Sequence, residues 1–191
     1  MSESKPTYLA LGDSMSIDDY TGVKGGGAVN QFHRMLGEAW TLDDRTFDGC
    51  QMEGVPTDVH GDLITLTIGG NDLLWNKEQY LAEGLGSFQG EHLALLRALR
   101  RANPDSLIIV GDVYHPDAQL PEIEQQALLA ANRLIQENCQ VIDAHHVPIN
   151  EAFRGHERDY LCMQIEPTLK GAEAIAGLFQ VAHDESGRNG T

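Results

Sequence analysis

Two polar side chains follow apolar runs of the chain, at places where buried strands are expected to end. Ser14 lies in the segment Gly12–Ser14, and Asn71 lies in Gly69–Asp72. A serine hydroxyl becomes a nucleophile when a base lies within hydrogen-bond reach, and a side-chain amide can donate a hydrogen bond to the oxyanion that forms. The pair therefore indicates acyl-transfer chemistry.

The elements that carry these residues alternate between strands and helices. Apolar runs predict strands at residues 7–11, 63–68, 106–110 and 140–144, with a weaker strand near 45–47. Apolar residues at helical spacing predict helices at 28–36, 92–101 and 121–137 and a last helix from about Thr168, while residues 75–89 look less regular. This order predicts an α/β fold of three layers, α/β/α, around a five-stranded parallel sheet.

Loops that follow the carboxyl ends of parallel strands form the ligand crevice in such a sheet. This rule predicts that the serine, the asparagine and the histidines that follow later strands lie at the functional edge of the sheet. These residues are Ser14, Asn71, His115, His145 and His146. His183, near the end of the last helix, is expected on the opposite side.

The composition narrows the class of protein. The 191 residues fit one domain, expected at 1–183, with a polar tail at 184–191. The chain has only 13 basic residues and 29 acidic ones, which gives a net charge of −16. This excess of acidic residues argues against a nucleic-acid partner. No apolar run reaches the length of a membrane span and the amino terminus carries no signal-peptide pattern, so we expect no integral membrane segment and a cytoplasmic location.

Residues Ala10–Tyr20 and Thr67–Asp72 resemble blocks I and III of the SGNH/GDSL hydrolases, and Pro167–Ala172 is similar to the segment that leads into the family's last helix. The resemblance implies a flavodoxin-like SGNH hydrolase fold. It also implies that Ser14 is the nucleophile and donates its own N–H to the oxyanion hole, with Asn71 as a second donor. The third donor would be Gly54, with Gly49 as the competing alignment.

The family's D-x-x-H-P motif reads Met163-Gln164-Ile165-Glu166-Pro167 in this chain. Glu166 therefore stands where the family places its histidine base, and Met163 where it places the carboxylate that orients this base. Burial can raise the pKa of a glutamate toward neutrality, so Glu166 is one candidate base. His156, oriented by Glu166 or Asp159, is a second, and His115 is a third.

The leading hypothesis is a serine hydrolase of carboxylic esters that forms an acyl-enzyme on Ser14. It acts on a small-molecule ester, and we expect no cofactor and no metal. The alternative is a catalytically impaired SGNH-fold protein that binds an acylated or glycosylated ligand without hydrolysis. A flavodoxin-like binding or signalling domain is a third hypothesis. The natural substrate, its acyl chain length and the oligomeric state stay open at this stage.

Overall fold

The computed structural model of the protein describes residues 5–188 and contains one five-stranded, fully parallel sheet. The strands lie in the order β2-β1-β3-β4-β5, which is the flavodoxin-like order. Their bounds are β1 Thr7–Gly12, β2 Thr41–Asp44, β3 Leu63–Thr67, β4 Leu107–Gly111 and β5 His145–Val147. A short antiparallel hairpin, β6 Leu161–Cys162 and β7 Glu166–Pro167, stands apart from this sheet.

Helices cover both faces of the sheet, as the predicted α/β/α architecture requires. Their bounds are α1 Ala28–Leu36, α2 Gly70–Trp75, α3 Lys77–Glu83, α4 Gly86–Ala102, α5 Glu122–Val141, α6 Ile149–Phe153, α7 Glu157–Tyr160 and α8 Leu169–Arg188. The apolar sides of α4 and α5 pack on one face, and those of α1, α6 and α8 pack on the other. Because helices cover both faces, the central strands β3 and β4 are buried along almost their whole length.

Two strands lie elsewhere than the sequence predicts. The second strand is Thr41–Asp44, before the predicted residues 45–47, and as a half-exposed edge strand it carries little apolar signal. The fifth strand, predicted at 140–144, begins only at His145, because α5 continues to Val141 to bury Cys139 and Ile142. His145 and His146 therefore lie inside β5 rather than in the loop after it.

Two further segments also differ from the prediction. Residues 75–89, expected to be less regular, contain the end of α2, all of α3 and the start of α4. The terminal helix continues past the expected start of a polar tail at Asp184 and reaches Arg188, because Ser186 makes hydrogen bonds with the carbonyl of Ala182 and the ring of His145. The rest of that tail, 189–191, lies outside the described residues.

Candidate active site

A sharp turn at the end of β1 places Ser14 at the carboxyl edge of the sheet. Gly12 has φ +122°, and a Cβ at this residue would lie 1.9 Å from the carbonyl oxygen of Thr67 on β3. The next residue, Asp13, still donates its N–H to that oxygen at 2.9 Å, and its own carboxyl accepts the N–H of Met15 at 3.1 Å. These bonds hold Ser14, which is 9% exposed, in a fixed position.

The β6–β7 hairpin brings Glu166 to Ser14. Met163 and Gln164 form its turn with positive φ angles of 49° and 74°, and the following strand carries Glu166 back into the protein, where the residue is 7% exposed. Burial raises the pKa of the Glu166 carboxyl, the nearby Ser14 side chain lowers it, and the charge of Asp48 raises it further. The net shift is upward, so Glu166 has the position and the pKa direction of a general base.

Asn71 lies in the first turn of α2, after Gly69 turns the chain with φ +106°. Its side-chain amide donates to the carbonyl oxygen of Cys50 at 3.0 Å, which fixes the orientation of the group. The amide nitrogen carries a second N–H that this bond does not use. The backbone N–H of Ser14 has no acceptor within residues 5–188. Ser14 and Asn71 line one cavity, so two donors of the predicted oxyanion hole lie at the same site.

Gly54 does not join this site. Its N–H donates to the carbonyl oxygen of Gln51 at 2.9 Å, inside the 3-10 helix Met52–Gly54, and Gly54 is not among the residues that line the cavity. The prediction that this glycine supplies an oxyanion donor is therefore not supported by the geometry. The competing Gly49 has φ +73° and directly precedes Cys50, whose carbonyl contacts Asn71.

Neither candidate histidine lines the cavity, and Glu166 does not line it either, so the contacts of each side chain distinguish the three candidates. His156 is exposed at the start of α7, and its ring stacks on Tyr160 with the ring centres 5.0 Å apart. His115 is half-buried, and its Nδ1 bonds to the carbonyl oxygen of Pro116 at 2.7 Å. Asp159, the carboxylate proposed to orient His156, is exposed and pairs with Lys170 at 3.8 Å. Of the three candidates, the structure brings only Glu166 to the serine.

The remaining histidines have structural partners. His146 pairs with the buried carboxyl of Asp112 at 3.3 Å, within the sheet. His183 packs edge-on against Trp40, the residue just before the amino end of β2. His183 therefore lies away from the functional edge of the sheet, as predicted.

Asp18, four residues after Ser14, has a structural role. Its carboxylate accepts hydrogen bonds from the backbone of Gly25 and Gly27 and from the side chain of Asn30. These bonds fold the glycine-rich loop that precedes α1.

An apolar cavity of about 130 Å³ opens beside Ser14 and Asn71. Its walls are aliphatic side chains from α2, α3, α5 and the loops between elements: Leu73, Leu74, Leu81, Leu85, Val113, Leu120, Leu128 and Ile165. Lys77 and Glu124, also part of the lining, form an ion pair at 3.2 Å that links α3 to α5. Much of this wall comes from residues 75–89, the segment that looks less regular in the sequence.

Acidic groups dominate the electrostatics around the serine. Burial raises the pKa of Asp13 to about 8, hydrogen bonds from Met15 and Thr67 oppose this shift, and the charges of Glu166 and Asp72 add to it. Burial also raises the pKa of Asp72, whose carboxylate accepts the N–H of Met52. Near pH 7 the carboxyl of Asp13 is therefore mostly neutral.

Comparison with known proteins supports the resemblance to GDSL hydrolases that the sequence shows. The GDSL-like lipase/acylhydrolase family matches residues 10–174. A lipase from a goat rumen metagenome has 22% identity and a TM-score of 0.79, covering 93% of this chain and 97% of its own. A variant of an acetyl-xylooligosaccharide esterase from Geobacillus stearothermophilus has 15% identity and a TM-score of 0.75, covering 94% of each chain. No curated protein sequence matches significantly.

These identities are low, so the solved structures establish the shared fold, while the family match spans most of the chain. Within residues 5–188, no helix combines the length and apolar character that a membrane crossing needs. The cytoplasmic location stays a prediction. The chain belongs to the GDSL-like lipase/acylhydrolase family and is, at that general level, a carboxylic ester hydrolase.

Proposed function

We propose that the protein hydrolyses carboxylic esters through an acyl-enzyme on Ser14, with Glu166 as the general base. The closeness of the Ser14 side chain to the buried carboxyl of Glu166, near enough to lower the pKa of that carboxyl, carries this proposal. A general base must first lie within hydrogen-bond reach of the proton that it removes, and its pKa must then lie close enough to the working pH. Glu166 lies next to the Ser14 side chain, and burial moves its pKa toward the second requirement.

The reaction follows from this arrangement. Glu166 takes the proton of the Ser14 hydroxyl while Oγ attacks the carbonyl carbon of the ester, and the negative charge passes from the carboxylate to the new oxyanion. The N–H of Ser14 and the free N–H of Asn71 stabilise that oxyanion. Glu166 then returns the proton to the departing alcohol oxygen. Water repeats these steps on the acyl-enzyme and releases the acid.

A carboxylate base explains why the position of Met163 no longer needs an acid. A histidine base requires a partner that fixes its tautomer and stabilises the imidazolium, whereas a carboxylate has no tautomers and becomes neutral when it accepts the proton. Met163 is 76% exposed, so its side chain is free of any such orienting role. No ion pair forms in the transition state, and the donors of the oxyanion hole therefore carry more of the stabilisation.

The apolar cavity supplies the place for the acyl part of the ester. Its aliphatic walls begin at Ser14 and Asn71 and can bury methylene groups, each of which contributes about 0.8 kcal/mol when removed from water.

Hydrolysis of p-nitrophenyl acetate and hexanoate by four proteins tests the proposal. We expect Ser14→Ala to abolish turnover and Glu166→Gln to lower kcat at least about 100-fold. His156→Ala serves as the matched control, because this histidine was the rival base and lies outside the cavity lining; it should keep the wild-type rate. Loss of activity in His156→Ala with normal activity in Glu166→Gln would overturn the assignment of the base.

The alternative, a binding protein with the same fold, is favoured by one observation: no histidine lines the cavity within the described chain. A double variant, Met163→Asp with Glu166→His, introduces the family's usual pair and separates the two functions. An inactive wild type together with an active double variant would show that the chain keeps the oxyanion donors but lacks a working base. Wild-type turnover that depends on Ser14 would exclude the binding function.

A further inference from the structure

A second group of side chains surrounds Glu166 and is distinct from the apolar cavity. Cys162 pairs with Glu166 across the β6–β7 hairpin, and its thiol donates to the carbonyl oxygen of Tyr20 at 3.7 Å. The hydroxyl of Tyr20 in turn donates to the carboxylate of Asp48 at 2.9 Å. Tyr20 therefore joins the hairpin that carries the base to the loop that carries Asp48. Phe47, the neighbour of Asp48, is 46% exposed and donates its N–H to the carbonyl oxygen of Gly12.

Charges in this region are acidic and have no basic partner. Asp48 raises the pKa of Glu166, and its hydrogen bond with Tyr20, together with the charges of Glu166, Asp48 and Asp19, raises the pKa of Tyr20 to about 12. The ion pairs found within residues 5–188 leave all three of these carboxylates without a lysine, arginine or histidine partner. A positive charge placed here would interact with several carboxylates at once.

One carboxylate oxygen of Glu166 makes no hydrogen bond with the described residues. Its Oε2 atom is buried and has no hydrogen-bond partner among the described residues, although the residue is only 7% exposed. A buried carboxylate oxygen without a partner is unfavourable, and a positively charged ligand group would remove that penalty. Tyr20, whose hydroxyl bonds to Asp48, and the exposed Phe47 add aromatic rings to this region, and aromatic rings together with carboxylates are the surroundings in which proteins bind ammonium groups.

The mechanism determines which part of the ester meets this region. The group that takes the proton from the serine also returns it to the leaving oxygen, so the alcohol part of the substrate must lie next to Glu166. The acyl part then extends into the apolar cavity. We propose that the protein prefers esters whose alcohol part carries a cationic ammonium group, held by Asp48, Glu166 and Tyr20; this inference rests on the proposed hydrolase function.

Two esters of the same shape test the preference. Butyrylcholine carries a quaternary ammonium, and 3,3-dimethylbutyl butyrate has a carbon in its place. We expect wild-type kcat/KM to be at least about tenfold higher for the choline ester at low ionic strength. The ratio should fall toward one in Asp48→Asn and in 0.5 M salt, because salt screens exposed charges. Any effect of Asp48 on the pKa of Glu166 acts on both esters and cancels in the ratio.

Asp105→Asn is the matched control, because it removes one exposed carboxylate just before β4, at the opposite edge of the sheet. This variant should keep the wild-type ratio. A wild-type ratio near one, or a high ratio that survives Asp48→Asn, would overturn the inference even if Ser14-dependent hydrolysis of the neutral ester is normal.

Calorimetric titration with choline makes the test independent of catalysis. We expect choline to bind the wild-type protein and to bind Asp48→Asn at least about fivefold more weakly. If neither ester is hydrolysed, the proposed function fails, and choline binding that requires Asp48 would still support the cation site. Equal choline affinity of the two proteins, or no binding to either, would contradict it.

Discussion

Replacement of Asp13 by asparagine should change how the stability of the protein depends on pH. Asp13 is fully buried beside Ser14, and burial raises its pKa from 3.8 to about 8. In the unfolded chain the same carboxyl ionises near its ordinary value. The folded protein therefore binds one more proton than the unfolded chain between about pH 4 and pH 8, and the free energy of unfolding falls as pH rises through this window.

The size of the effect follows from the difference in pKa. One pKa unit corresponds to about 1.4 kcal/mol, so the difference between 3.8 and about 8 corresponds to about 6 kcal/mol of stability, most of it lost between pH 4 and pH 8. The side-chain amide introduced by Asp13→Asn would be uncharged at every pH and can still accept the N–H of Met15. The free energy of unfolding should therefore fall less with rising pH in Asp13→Asn than in the wild type. The stability of the variant relative to the wild type should increase as pH rises.

Urea denaturation of wild type, Asp13→Asn and Asp105→Asn at half-unit intervals from pH 4.5 to pH 8.5 measures this difference. Asp105→Asn is the control for loss of one exposed carboxylate. If the free energies of unfolding of wild type and Asp13→Asn run parallel over this range, Asp13 does not carry the raised pKa and the electrostatic account of the site is wrong.

Three further predictions concern the parts of the site. Asn71→Ala should lower kcat for ester hydrolysis about 10²–10³-fold with a small change in KM, and a loss below threefold in steady-state assays would remove this amide from the oxyanion hole. Gly12→Ala should lower the free energy of unfolding, measured in urea, by about 2–5 kcal/mol, because the new Cβ would meet the carbonyl of Thr67. Gly90→Ala in α4 is the control, because a Cβ there meets nothing within 4 Å and should not destabilise the protein. Equal losses of stability in the two variants would contradict the account. Leu81→Trp should reduce kcat/KM for p-nitrophenyl hexanoate at least about tenfold more than for the acetate, and equal losses would show that the acyl chain does not enter the cavity.

The sequence predicts the centre of the site well because its determinants are local. Gly12 and Gly69 follow apolar strands, and parallel strands that are neighbours in the sheet deliver their following residues to the same edge. This rule alone places Ser14 and Asn71 together. The position of Glu166 follows from the resemblance of the hairpin segment to the family's motif, and the structure adds its contact with Ser14.

Other features depend on contacts between distant segments. Gly54 matches a motif position, but its N–H is taken up within its own turn. Residues 75–89 look irregular in the sequence because glycines such as Gly84 interrupt their helical spacing, and the helices become clear only when they pack over the sheet. The β-branched residues Val141 and Ile142 favour a strand, whereas α5 continues to Val141 and Ile142 packs into the core just after the helix ends. The acidic surroundings of Glu166 bring together three loops that are far apart in the sequence.

The reaction of Ser14 with a fluorophosphonate tests most directly the claim that Glu166 activates this serine, because labelling requires the nucleophile and its base but no turnover. The labelling rate should be measured from pH 4 to pH 9 for wild type and Glu166→Gln. The account predicts a wild-type rate that rises with pH as Glu166 loses its proton, with a midpoint above the ordinary pKa of a glutamate, and a rate at least about 100-fold lower in Glu166→Gln. Equal labelling rates and equal pH profiles of the two proteins would contradict it.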